Sequence, residues 1–129
     1  MDSSKEQIQT IKKGLPIQFF KKICTDIELT EKCLTAILKM TTNTLSLRKK
    51  EGIFSLSESE QLYRIRQIYT KALEVFQDEK EAKNWFKKPY WLLKDSIPVD
   101  LTATETGSKE VEQLLYYIKN GWVSFSIPC

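Results

Sequence analysis

The chain has 129 residues, 41% hydrophobic and 29% charged, with three cysteines, no histidine and a formal net charge of +3. That balance fits one small globular domain, or two smaller ones, and removes the common zinc sites and the Ser-His and Cys-His nucleophile arrangements that need histidine. No apolar run approaches the roughly 18–20 residues of a membrane span, and the start MDSSKEQIQT lacks a signal sequence's apolar stretch, so a cytoplasmic protein with no membrane contact is expected.

The charge is uneven. Up to Ser55 there are ten Lys/Arg against six Asp/Glu, a surplus of +4; from Leu56 onward there are ten against eleven. A basic front half and a nearly neutral rear half imply different partners for each. Cys24 and Cys33 read as small buried hydrophobes, and Cys129 as a tail thiol.

Residues 1 to about 10 are polar, and Gly14-Leu15-Pro16 then punctuates the chain. Ile17, Phe20, Ile23 and Cys24 recur at helical spacing, with Pro16 suited to the first turn. Thr30 is a good N-cap for a second helix, in which Cys33, Leu34, Ile37 and Leu38 face inward. A third helix starts at Thr41 or Thr42, buries Leu45 and ends at Gly52. Three short helices with a tight turn before the third describe a helix-turn-helix, whose third helix would meet DNA. The same pattern also suits a packing module with a solvated basic face.

The run SLSESEQLYRIRQIYTKALEVF carries the strongest helical signal, with Leu62, Ile65, Tyr69, Ala72, Leu73 and Phe76 in register. Ser57 and Glu60 read as its capping box, so the helix is predicted from about Glu58 to Phe76. Asp78 and Glu81 repeat that logic for a short helix holding Ala82, Trp85 and Phe86, which Pro89 ends. Tyr90, Trp91, Leu92 and Leu93 form a dense apolar patch, part of it available to an interface. Thr104, Glu105 and Gly107 lead into a last helix with Val111, Leu114, Leu115 and Ile118 on one face, stopped by Gly121. In the tail WVSFSIPC, Val123, Phe125 and Ile127 alternate with serines, which fits either an extended arm or a segment folded back on the last helix.

The order W-x3-P, P-x-D-L, T-E-x-G, V-x3-L, I-x2-G between Trp85 and Gly121 resembles the toxin-binding domain of the Xre/MbcA/ParS antitoxins. The segment LTEKCLTAILKMTTNTLSLRKKEG, with Thr44-Leu45 before the basic triplet Arg48-Lys49-Lys50, resembles the Xre-type helix-turn-helix. L-S-x-S-E-x-L-x-R from Leu56 to Arg64 resembles the joining segment of that family. The resemblance covers about residues 13–121. It departs in two places: Lys39 stands where the family has glycine in the turn, and Lys94-Asp95 where a glycine pair is common.

What the resemblance implies is an all-α fold: an Xre-like helix-turn-helix domain over residues 1–68, joined by a long helix to a toxin-binding domain over residues 69–129. It implies an antitoxin of a type II pair that blocks a RES-domain, NAD-degrading toxin by direct binding and represses its own operon at operator DNA. The alternative is a dimeric helix-turn-helix regulator with no toxin partner. The DNA-binding residues would be Thr42, Asn43, Thr44, Ser46, Arg48 and Lys49, and the toxin-binding ones Tyr90, Trp91, Trp122, Val123, Phe125 and Ile127. A homodimer is expected, because such readers present two recognition helices to a two-fold operator. No catalytic residue, cofactor or metal is expected.

Overall fold

A computed structural model describes residues 13–123. Among them are seven α-helices and no strand: α1 Ile17–Ile27, α2 Glu31–Ile37, α3 Thr42–Glu51, α4 Leu56–Phe76, α5 Glu79–Lys87, α6 Pro98–Leu101 and α7 Glu105–Lys119. A 3₁₀ turn, Trp91–Leu93, lies between α5 and α6. The all-α expectation holds. The chain divides into two compact units, Met1–Tyr63 and Arg64–Cys129, with the division inside α4.

Helix starts follow the local sequence. The hydroxyls of Thr30, Thr41 and Thr104 accept the backbone N–H of Cys33, Thr44 and Gly107, all at 3.0 Å. The Asp78 carboxylate accepts from Lys80 and Glu81. Each bond satisfies one of the N–H groups that a helix's first turn leaves unpaired. The long helix differs from expectation by two residues. Its box is Ser55 and Glu58: Glu58 Oε1 accepts the Ser55 N–H at 2.9 Å, and Ser55 Oγ accepts the Glu58 N–H at 3.2 Å. Ser57 and Glu60, which have the same S-x-x-E spacing, lie inside the helix. One physical reason is Ser59, fully buried, whose Oγ accepts the Leu15 N–H at 2.9 Å; the register that places it there makes Ser55 the cap.

In the first unit Leu15, Ile17, Phe20, Ile23, Ile27, Leu34, Ile37, Leu38, Leu45, Phe54 and Leu62 are buried, with the Phe20 and Phe54 rings 5.7 Å apart. The chain entering α1 is tied to the chain leaving α3. Ile17 N–H donates to Gly52 O at 3.0 Å and Phe54 N–H to Leu15 O at 2.9 Å. Cys33, expected inside, is exposed, and Cys24 is only half-buried. That partial burial raises the Cys24 thiol pKa to about 11, so it stays protonated at neutral pH.

Lys39, in the turn between α2 and α3, adopts φ 58°. Lys94 and Asp95 take φ 56° and 62°. The turns therefore keep the left-handed backbone that suits glycine although the side chains do not. Lys39→Gly and, separately, Lys94→Gly are each expected to raise stability by about 1 kcal/mol, less the extra chain entropy glycine brings to the unfolded state. Urea melts check this. Unchanged or lowered midpoints would mean that the lysine stems add packing that outweighs the strain.

In the second unit α5 packs on α6 and α6 on α7. Its core holds Ile65, Ile68, Tyr69, Ala72, Ala82, Trp85, Phe86, Tyr90, Leu93, Val99, Val111 and Leu115. The loop between α5 and α6 closes on itself: Tyr90 N–H donates to Ser96 O and Asp95 N–H to Tyr90 O. That closure presents the Trp91 turn.

Candidate functional site

Two surfaces hold the candidate residues, one in each unit. The first is α3. Leu45 anchors it to the core, and Thr41 caps it. Thr42, Asn43 and Ser46 are exposed and lie on one side of the helix, as positions 0, 1 and 4 of a 3.6-residue repeat must. Thr44 is half-buried, and its hydroxyl lies 2.9 Å from that of Thr41, so it belongs to the cap.

Arg48 is not free to meet a phosphate. Its Nε and Nη2 donate to the two carboxylate oxygens of Glu58 at 2.7 and 3.2 Å, and its Nη1 to Glu51 at 3.0 Å. Only 20% of the Arg48 side chain and 13% of that of Glu58 are exposed. A planar guanidinium fork on a carboxylate is the strong, oriented kind of ion pair. It joins the end of α3 to the capped start of α4, which makes Arg48 a positioning residue for α3. Lys49 bonds Glu31 at 2.6 Å, with both side chains more than two-fifths exposed. An exposed pair of this kind is worth only about 0–1 kcal/mol, so a phosphate can displace Glu31 from Lys49. The sequence reading missed Lys50 and Leu47, exposed on the same side as Asn43 and Ser46. Their helical spacing from Asn43 and Ser46 is the signal that would have found them.

Partial burial works to raise the Glu58 pKa, but hydrogen bonds from Arg48 and Ser55 hold it below its ordinary value of 4.5. A depressed carboxylate stabilises the fold above the unfolded-state pKa, and that stability is lost as pH falls through the folded value. Arg48→Met is therefore expected to cost about 2 kcal/mol at pH 7, the weight of hydrogen bonds to a charged group. As pH falls below the ordinary value of 4.5 and Glu58 takes up its proton, the wild type loses this contribution and the difference should shrink. Melts at pH 7 and pH 3.5 test it, and a difference that does not depend on pH would refute the pairing.

The second surface is aromatic. Tyr90, expected at an interface, is only 3% exposed and packs edge-on to Trp85 with ring centroids 5.4 Å apart, so it belongs to the core. Trp91, its neighbour, is 39% exposed. The 3₁₀ turn begins between them, and the two rings stay in contact, with centroids 6.2 Å apart and Tyr90 on the inner side. Trp122 is 63% exposed and stands against Tyr116 and Tyr117, at 5.7 and 5.5 Å. Its backbone N–H donates to Tyr117 O at 2.9 Å, which fixes it at the end of α7. Val123 is half-buried, while Phe125 and Ile127 lie outside the described residues. Beside these rings is an open cleft of about 510 Å³ lined by Lys71, Lys109, Glu112, Gln113, Tyr116 and Tyr117. Lys71 and Glu112 form an ion pair across it.

Both units match known families. Residues 6–67 match the antitoxin Xre-like helix-turn-helix domain. Residues 71–121 match the antitoxin Xre/MbcA/ParS C-terminal toxin-binding domain. Both matches are to antitoxin domain families, and each covers less than half of the chain. The chain is also similar to Antitoxin Xre of Pseudomonas putida KT2440, with 29% identity over 74 residues, covering 57% of this chain and 46% of that one. The chain thus spans about half the length of the curated relative it matches. The α3 face lies within the residues that match the helix-turn-helix family, and Trp91, Lys71, Tyr116 and Tyr117 within those that match the toxin-binding family. Trp122 follows the latter directly. Among the described residues no helix is long and apolar enough to cross a membrane.

Proposed function

We propose that the chain neutralises a cognate RES-domain, NAD-degrading toxin by direct binding and represses its own operon at promoter DNA. The supporting observation is the succession of the two matched segments, 6–67 and 71–121, along one chain. Each presents an exposed surface of the right chemistry. The α3 face offers amide, hydroxyl and ammonium groups of the kind that meet base edges and phosphates, through Thr42, Asn43, Ser46, Lys49 and Lys50. Two such helices in a homodimer would read a two-fold operator. The toxin face is Trp91 with the Trp122 cluster, exposed aromatics of the type that anchor protein interfaces. The tail sequence that holds Val123, Phe125 and Ile127 has no charged side chain, and its apolar chemistry suits a cleft or a sheet edge of the toxin. Steric blockade of an active site needs no catalytic group of the antitoxin's own.

Co-expression with the neighbouring toxin gene tests the reading. Cells making the toxin alone should lose NAD and stop growing, and the full chain should restore both. Truncation after Gly121 should leave melting and DNA binding unchanged but abolish rescue. A toxin that leaves NAD intact would remove the RES assignment, and a truncated chain that still rescues would remove the tail from the contact.

A further inference from the structure

Leu47 is 49% exposed on α3, although an apolar side chain there loses by facing water. It stands one helical turn after Asn43, as i and i+4, and the exposed residues 42, 43, 46, 47 and 50 together span an arc of roughly 140° at 100° per residue. Of the remaining residues of the helix, Leu45 lies in the core, Thr44 at the cap, Arg48 bonds Glu58 and Glu51, and Lys49 flanks the face in its exposed pair with Glu31. The face thus consists of hydrogen-bonding groups and one ammonium, interrupted by a single apolar side chain. In the major groove each base edge offers donors and acceptors, and the thymine C5-methyl is the one apolar group. An asparagine amide pairs both its atoms with adenine.

We infer that Leu47 is a specificity-determining residue that covers a thymine methyl while Asn43 reads an adjacent adenine. The inference rests on the DNA-binding reading above and adds the base composition of the half-site. Asn43 and Leu47 are about 6 Å apart along the helix axis. The two bases therefore lie within about two base-pair steps of roughly 3.4 Å. Arg48, held by Glu58 and Glu51, fixes the helix that carries them but touches neither base.

The test uses the full chain and duplexes that the wild-type protein enriches from a random pool. Each thymine in an enriched duplex is replaced in turn by uracil, which removes only the methyl, and binding is read by mobility shift. One thymine per half-site is expected at which uracil weakens wild-type binding about fourfold, the weight of one buried methyl. Leu47→Ala should bind the thymine and uracil duplexes equally and should melt like the wild type. If no thymine matters, or if uracil weakens both proteins alike, the assignment is overturned. If Leu47→Ala weakens every duplex equally and light scattering finds it monomeric where the wild type is dimeric, Leu47 belongs to a subunit contact instead. A wild-type protein that enriches no duplex overturns the DNA-binding reading itself, and the assignment with it.

Discussion

Replacing Trp85 with alanine is expected to lower stability by about 3–5 kcal/mol, the usual weight of a buried aromatic lost to a cavity. Trp85 lies on the buried side of α5 beside Ala82 and Phe86. Its ring lies 5.6 Å from that of Phe76 and 5.4 Å from that of Tyr90, so its loss would leave two large neighbours without a packing partner. The effect rests on packing. The indole N–H is buried and has no hydrogen-bond acceptor among the described residues. Trp85→Phe should therefore cost much less than the alanine change, because it keeps a ring and removes an unsatisfied donor. Thermal or urea unfolding of the two variants checks both statements. Equal losses would mean that the indole N–H matters after all, and no loss in either would place Trp85 outside the core.

Gly107→Ala is expected to cost about 3 kcal/mol or more, an unusually large penalty for one added methyl. Gly107 sits in the first turn of α7, where its N–H donates to the Thr104 hydroxyl. A Cβ there would lie 2.2 Å from the Leu101 carbonyl oxygen and 2.8 Å from Thr104 Oγ1. Leu101 O is backbone at the end of α6, so it cannot swing aside as a side chain does. The added methyl must push α6 and α7 apart or break the Thr104 cap. Under the proposed function the consequence extends to toxin binding, because α7 carries Tyr116, Tyr117 and the base of Trp122. The variant should melt early and fail to rescue cells from the toxin, and a wild-type melt would show that the α6–α7 approach is looser than described.

The glycine in T-E-x-G was visible in the sequence as part of a motif, but its reason was not. Part of that reason is local, since a Cβ would also crowd the Thr104 cap hydroxyl, but the backbone conformation of Gly107 is ordinary helix. The rest of the requirement comes from the helix packed against it. The opposite case is Lys39 and Lys94-Asp95. There the sequence lacks the glycines that the backbone would favour, and the chain takes left-handed turns regardless. Packing on either side fixes those turns, and local propensity is overruled.

Much of the helical layout was legible because its causes are local. Threonine or aspartate caps act within three residues, and buried residues such as Ile17, Phe20 and Ile23, or Val111 and Leu115, repeat at the helical period. Those interactions are written in consecutive residues, so the sequence by itself determined the all-α architecture and the helix-turn-helix. Local spacing pointed to Ser57 and Glu60 as the box that opens α4, put both Tyr90 and Trp91 at an interface, and assigned Arg48 and Lys49 to DNA. The actual placements depend on partners far along the chain: Leu15 for Ser59, Trp85 for Tyr90, Glu58 for Arg48 and Glu31 for Lys49. A side chain's charge and size are properties of the residue, but its burial and its ion-pair partner are properties of the packed fold. Only the tertiary structure could separate the basic residue that braces α3 from those that remain on its surface.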